Sequence, residues 1–157
     1  MNGVPIPHYA GHHYAGNLPE AIPAGGTLNL KVVAGEVHFE ASGEVLAAPT
    51  ITAPAAGSTF AWTDTVSLAW STPTDPDRFS VCLNCWENSL DGASYPASGS
   101  AREFKIAPRA LADYGTGAIV AVYAYKSNFL TPAGSPGVTS NVVFVARSRD
   151  AIFTVKH

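Results

Sequence analysis

Beyond the first 26 residues, apolar residues recur at every second position in a series of short segments, and this period of two predicts a succession of β-strands. From Thr27 the pattern puts Leu28, Leu30 and Val32 on one strand face, then Val37, Phe39 and Ala41 on the next. With Ala34-Gly35 between them as a tight turn, residues 27 to 41 read as a β-hairpin. Pro49 to Pro54 reads as an edge strand because its prolines withhold ladder donors. The clearest strand runs from Thr65 to Trp70, where Val66, Leu68 and Trp70 alternate with Thr65, Ser67 and Ala69. One face is core and the other is wet.

A Pro and Asp turn over residues 72 to 77 leads to Phe79, Val81, Leu83 and Cys85 on an inward face. Glu87 to Ser100 is a long polar excursion with room for one weak strand. Phe104 and Ile106 mark a further strand, Pro108 to Asp113 has room for one helical turn, and Ala118 to Lys126 is a strand with Val120, Val122 and Ala124 on one side. A Pro and Gly loop at 131 to 137, a strand at 138 to 146 and a last strand at 152 to 155 complete the chain. No segment has the length and 3.6 period of a substantial helix. Roughly six or seven short strands with regular turn signals predict an all-β, antiparallel sandwich. Residues 1 to 26, rich in Gly, Pro, His and Tyr, predict an extended arm in which His-Tyr-Ala-Gly occurs at 8–11 and again at 13–16. The domain reading is an N-terminal arm and hairpin over 1–48, able to dock on a sandwich over 49–157.

Composition narrows the function classes. The chain has 157 residues, of which 46% are hydrophobic and only 13% charged, with a formal net charge of -3. That suffices for one core and supplies no basic field for a polyanion, so no nucleic acid is expected as a partner. No stretch approaches the roughly 18 to 20 apolar residues of a membrane span. The start, Met-Asn-Gly-Val-Pro-Ile-Pro-His, lacks the charged and apolar regions of a signal peptide.

Several residues are candidates for chemistry. Cys82 and Cys85 have C-x-x-C spacing, but a second ligand pair for zinc is missing. An extended strand would hold their Cα atoms about 10 Å apart, beyond the roughly 7 Å a disulfide permits. The strand reading therefore places Cys85 inside and Cys82 on the other face, and a local disulfide requires a bulge or turn between them. His8, His12 and His13 are spaced to bind a divalent metal, with His38 or His157 as further ligands, although loose histidines in an exposed arm are commoner. Asp75, Asp77 and Asp64 could present oxygens to Ca²⁺, against the plainer reading of a turn. Trp62, Trp86, Tyr95, Tyr123 and Tyr125 are the candidates for a binding surface, since aromatic faces stack on sugars or anchor protein partners. There is no G-x-S-x-G, no H-E-x-x-H and no phosphate-binding Gly loop, so neither catalysis nor a cofactor is expected.

The stretches Val66–Trp70, Arg78–Val81, Phe104–Leu111 and Ile119–Ala124 resemble strands B, C, E and F of fibronectin type III and bacterial Ig-like domains over about a hundred residues. Trp70 at the end of strand B and Leu111 before strand F carry the closest match, and Tyr114 stands where a tyrosine corner would. A looser similarity covers the whole chain and relates it to secreted myxobacterial-type lipoproteins of unknown function, in which a segment like Gly16 to Gly26, a hairpin and an Ala-Pro junction precede the sandwich. Their lipid-modified cysteine has no counterpart at this N-terminus. The resemblance implies an extracytoplasmic location, with a leader outside this chain, and a non-catalytic structural, adhesive or protein-interaction role. A carbohydrate-binding module and a subunit that exchanges its N-terminal arm to form oligomers are the alternatives.

Overall fold

The computed structural model describes residues 1–10, 13–14, 20–34, 37–85, 92–130 and 140–156, and within these it leaves out the side chains of 8–10, 13, 14, 34, 37, 113, 115, 116 and 130. The described chain is all-β, with no α-helix, and its strands form several sheets. By contact it divides into two compact units, Met1–Val45 with Ser127–Phe144, and Leu46–Lys126 with Val145–His157.

In the first unit, β1 (His8–Ala10) pairs with β2 (His13–Tyr14), so short strands occur where the sequence predicts an irregular arm. The hairpin forms from β3 (Thr27–Ala34) and β4 (Val37–Glu44) and runs three residues past its expected end. Its register sets Leu28, Leu30 and Val32 opposite Gly43, Ala41 and Phe39, as the alternation requires. Phe144 lies directly over Gly43, where any Cβ would collide with its ring, and both Phe144 and Ala41 are buried. A glycine is thus needed there for close approach rather than for its dihedral freedom.

The second unit holds the main core. One sheet has the order β10 (Glu103–Ile106), β7 (Val66–Ser71), β5 (Thr50–Ala53), with β5 on an edge as its flanking prolines demand. The other has the order β6 (Thr59–Ala61), β13 (Ala151–Lys156), β11 (Ala118–Leu130), β8 (Arg78–Leu83), β9 (Ala93–Ser98), and β12 (Ser140–Arg147) also pairs with β11. β6 is parallel to β13 and the other described pairings are antiparallel. This three-residue strand escapes a reading by period because it is too short to show one. A turn over 108–111 stands where one is expected, and it runs into a 3₁₀ segment over Ala112–Gly117 that delivers the chain to β11.

Side chains of the two sheets meet in one core. Val66, Leu68, Trp70 and Ile106 from the first, and Phe79, Val81, Leu83, Val120, Val122, Ala124, Phe153 and Val155 from the second, are all buried. Trp70 meets Phe79 edge-on at 5.3 Å, and Phe104 meets Tyr95 at 5.6 Å. Burying each large apolar side chain contributes roughly 1.5–3 kcal/mol relative to exposure. β12 and β13 both lie along one edge of β11, and the break between them is closed by Ser148. Its N–H donates to the Val122 carbonyl and its Oγ accepts the Val122 N–H, both at 2.9 Å. A hydroxyl thereby substitutes for a carbonyl where the ladder skips a residue.

Candidate functional site

The strands that line the core with one face carry different residues on the other. β8 alternates Phe79, Val81 and Leu83 with Arg78, Ser80 and Cys82, and the register with β11 sets these last three opposite Tyr125, Tyr123 and Ala121. On the other side β9 brings Ser98, Pro96 and Ser94 opposite the same three. The outer face of this sheet therefore has small residues at its centre, with two tyrosines and an arginine standing over them. Ser80 and Cys82 are nevertheless buried there, and the Ser80 and Ser94 hydroxyls hydrogen-bond each other.

Tyr123 and Tyr125 lie side by side, ring centroids 6.3 Å apart and planes 26° from parallel. Each carries a cation over its ring, Arg78 at 4.5 Å from the Tyr125 centroid and Arg147 at 5.6 Å from that of Tyr123. Such a contact is worth about 0.5–1 kcal/mol at a wet site. Arg147, the last residue of β12, is held on three sides. Its Nε donates to the Tyr123 hydroxyl at 2.9 Å, its Nη2 to the Cys85 carbonyl at 3.2 Å, and the same nitrogen pairs with the Asp150 carboxylate. Burial opposes its charge, but the hydrogen bond to Tyr123 and the charges of Tyr123 and Asp150 outweigh it, so its pKa stands above the ordinary arginine value. Burial likewise pushes the Tyr125 phenol up, with Arg78 pulling down and Tyr123 adding to the rise. Arg78 is exposed and makes none of the carboxylate pairs found among the described residues. Its fork of N–H donors can receive a carboxylate or carbonyl from outside.

The cysteines require a correction. The chain does not stay extended through Cys85: Asn84 takes φ +61° and its side-chain oxygen accepts the Ile119 N–H at 3.3 Å. Asparagine tolerates this left-handed conformation better than most residues. The turn brings the two Cα atoms to 5.8 Å, and Cys82 and Cys85 form a disulfide that is fully buried. The strand geometry that would hold the two cysteines apart ends at Leu83, and the disulfide forms across the turn that follows. The same turn aims the Cys85 carbonyl at Arg147.

Those of the remaining candidates that are described do not gather at this face. Tyr95 points inward against Phe104. Trp62 lies just past β6 with the Arg109 guanidinium 4.9 Å from its ring, and its carbonyl accepts the Arg109 N–H at 2.8 Å. Trp86, His12 and His157 lie outside the described residues, as do the side chains of His8 and His13. Among the described residues no group of three or more His, Cys, Asp or Glu is placed to hold a metal ion. Asp75 pairs with Arg102 at 2.6 Å, and Asp64 accepts the Ala61 N–H at 2.8 Å. Among the described residues no helix is long and apolar enough to cross a membrane.

Sequence reasoning missed Arg78, Arg147, Ser148 and Asp150. Alternation alone assigns Arg78 to the wet face, but setting it beside Tyr125, and Arg147 beside Tyr123, needs the pairing of β11 with β8 and with β12. No protein-family model matches the chain, and comparison with characterised proteins returns no significant match.

Proposed function

We propose that this is an extracytoplasmic, non-catalytic interaction module of the Ig or fibronectin type III kind, which meets protein partners through the Arg78–Tyr125–Tyr123–Arg147 face. The observation that carries the reading is that face: two adjacent tyrosines and two arginines, residue types enriched among those that dominate binding energy at interfaces. The strand orders support the fold assignment. β5, β7 and β10 correspond to strands A, B and E, and β9, β8, β11 and β13 to C′, C, F and G, with β6 as a short strand crossing from the first sheet to the second. The buried disulfide supports a location outside the reducing cytoplasm.

The glycan-binding alternative fits the geometry less well. A sugar platform needs open, coplanar ring faces, whereas Tyr123 and Tyr125 present their rings towards each other and each already has a guanidinium over it. A random peptide library on phage and a glycan array, each probed with the wild type and with the Arg78→Ala, Tyr125→Ala double variant, test the reading. Peptides enriched on the wild type and lost on the variant support a protein-binding face. Glycan binding lost on the variant would replace it with the carbohydrate reading, and enrichment that the variant leaves unchanged would remove this face from the function.

A further inference from the structure

The ladder of the β3–β4 hairpin determines which backbone groups point away from it. The Val45 N–H donates to the Gly26 carbonyl at 2.8 Å, so even-numbered residues of β3 bond inward and odd-numbered ones face outward. Asn2 confirms this parity from outside. Its N–H donates to the Asn29 carbonyl at 2.9 Å, its Oδ1 accepts the Asn29 N–H at 2.6 Å, and its Nδ2 reaches the Thr27 carbonyl at 3.4 Å. On the opposite edge Asn128 donates to the outward carbonyl of Ser42 at 3.0 Å. Two asparagine side chains thus blunt the base of the hairpin, where an unpaired edge would otherwise invite pairing.

The cap stops short of Lys31 and Val33, whose outward N–H and C=O groups have no backbone partner among the described residues. The edge there is otherwise hospitable. Val33 is 58% and Val32 41% exposed, so side chains of the unpaired stretch stand open to solvent. Lys31 is the kind of charge that guards an edge, but Glu40 across the hairpin neutralises it at 2.7 Å. A two-stranded sheet is also the arrangement with most to gain from further strands.

We propose that this edge is a strand-addition site for the same segment of a second copy of the chain, the two β3 strands pairing antiparallel about a two-fold axis at Val32. That register sets Lys31 opposite Val33 of the other copy, and Val33 opposite its Lys31, so both pairs use only the groups that Asn2 leaves free. Each row across the new four-stranded sheet then runs Glu40, Lys31, Val33, His38, with no like charges directly opposed. Asn2 at position 29 ends the pairing and so sets its register.

Sedimentation equilibrium of the whole chain from micromolar to millimolar, read beside amide hydrogen exchange, tests this. A monomer–dimer equilibrium is expected, with the Lys31 and Val33 amides gaining protection as concentration rises while those of Leu30 and Val32 are protected throughout. Val33→Pro removes only an outward N–H, so it abolishes the dimer and leaves Leu30 and Val32 protected. Val33→Lys sets a lysine opposite Lys31, so it weakens the dimer at low salt and less so at high salt. A chain that stays monomeric at millimolar concentration, or a dimer indifferent to both substitutions, overturns the proposal. So does protection of the two amides that follows an added phage-selected peptide and never concentration, which would make the occupant a foreign strand.

Discussion

β8 and β3 begin from the same alternating pattern and end in opposite circumstances. In β8 every residue after Arg78 is buried, including Ser80 and Cys82 on the nominally wet face. In β3 no described residue is buried, and its two valines near the tip lie open. The difference comes from neighbours. β8 has β9 on one side and β11 on the other, a second sheet against one face and tyrosines over the other. β3 has one strand beside it and an asparagine at one end of its free edge. A strand's period says which residues share a face, while its place in the sheet decides how much that face buries.

The largest test of this contrast compares single truncations. Leu68→Ala, at the fully buried centre of the core, is expected to cost about 2–5 kcal/mol in urea unfolding. The corresponding Val33→Ala at the hairpin tip should stay within about 0.5 kcal/mol. Removing the disulfide should come next. Closing a loop over a sequence separation of 3 is worth about 2 kcal/mol by chain entropy, so the double variant Cys82→Ala, Cys85→Ala should lower stability by about that much. Ser148→Ala strands the buried Val122 N–H without its acceptor, for about 1 kcal/mol or more, and the Val122 amide should then exchange faster with solvent.

The smallest effect concerns pH. The folded state holds the Tyr125 phenol above its ordinary value, so the folded chain keeps that proton when the unfolded chain loses it. Its contribution is complete below the unfolded pKa of about 10 and is lost as pH rises through the folded value. Tyr125→Phe should flatten the alkaline limb of the stability profile without altering it at neutral pH. Ultraviolet titration of the phenols in wild type and variant reads the same shift directly.

Much of the architecture was legible in the chain. The hairpin, the central strand ending at Trp70, the strand from Ala118 and the closing strand each announce themselves by alternation, which reports side-chain direction faithfully wherever one face is core. β6 stayed hidden because three residues carry no period, and β9 was legible only as a weak strand somewhere within 87 to 100, because its Pro96 and serines suit an edge that needs little apolar content. Tyr123 and Tyr125 were among the aromatics worth naming. Their grouping, with Tyr95 turned inward and Trp62 placed elsewhere, was not, since period cannot tell a core aromatic from a surface one when both faces of a strand are partly covered.

By itself the sequence determined that this is a β protein, poor in charge and rich in turns, and where its main strands lie, because those properties follow from local periodicity and composition. Tertiary structure decided the rest. It chose the pairings that lay Arg78 on Tyr125 and Arg147 beside Tyr123, and the ladder break at which Ser148 stands in for a carbonyl. It also placed the turn at Asn84 that closes the disulfide. Each of these joins residues far apart in sequence or depends on one dihedral angle, and neither kind of fact leaves a periodic trace.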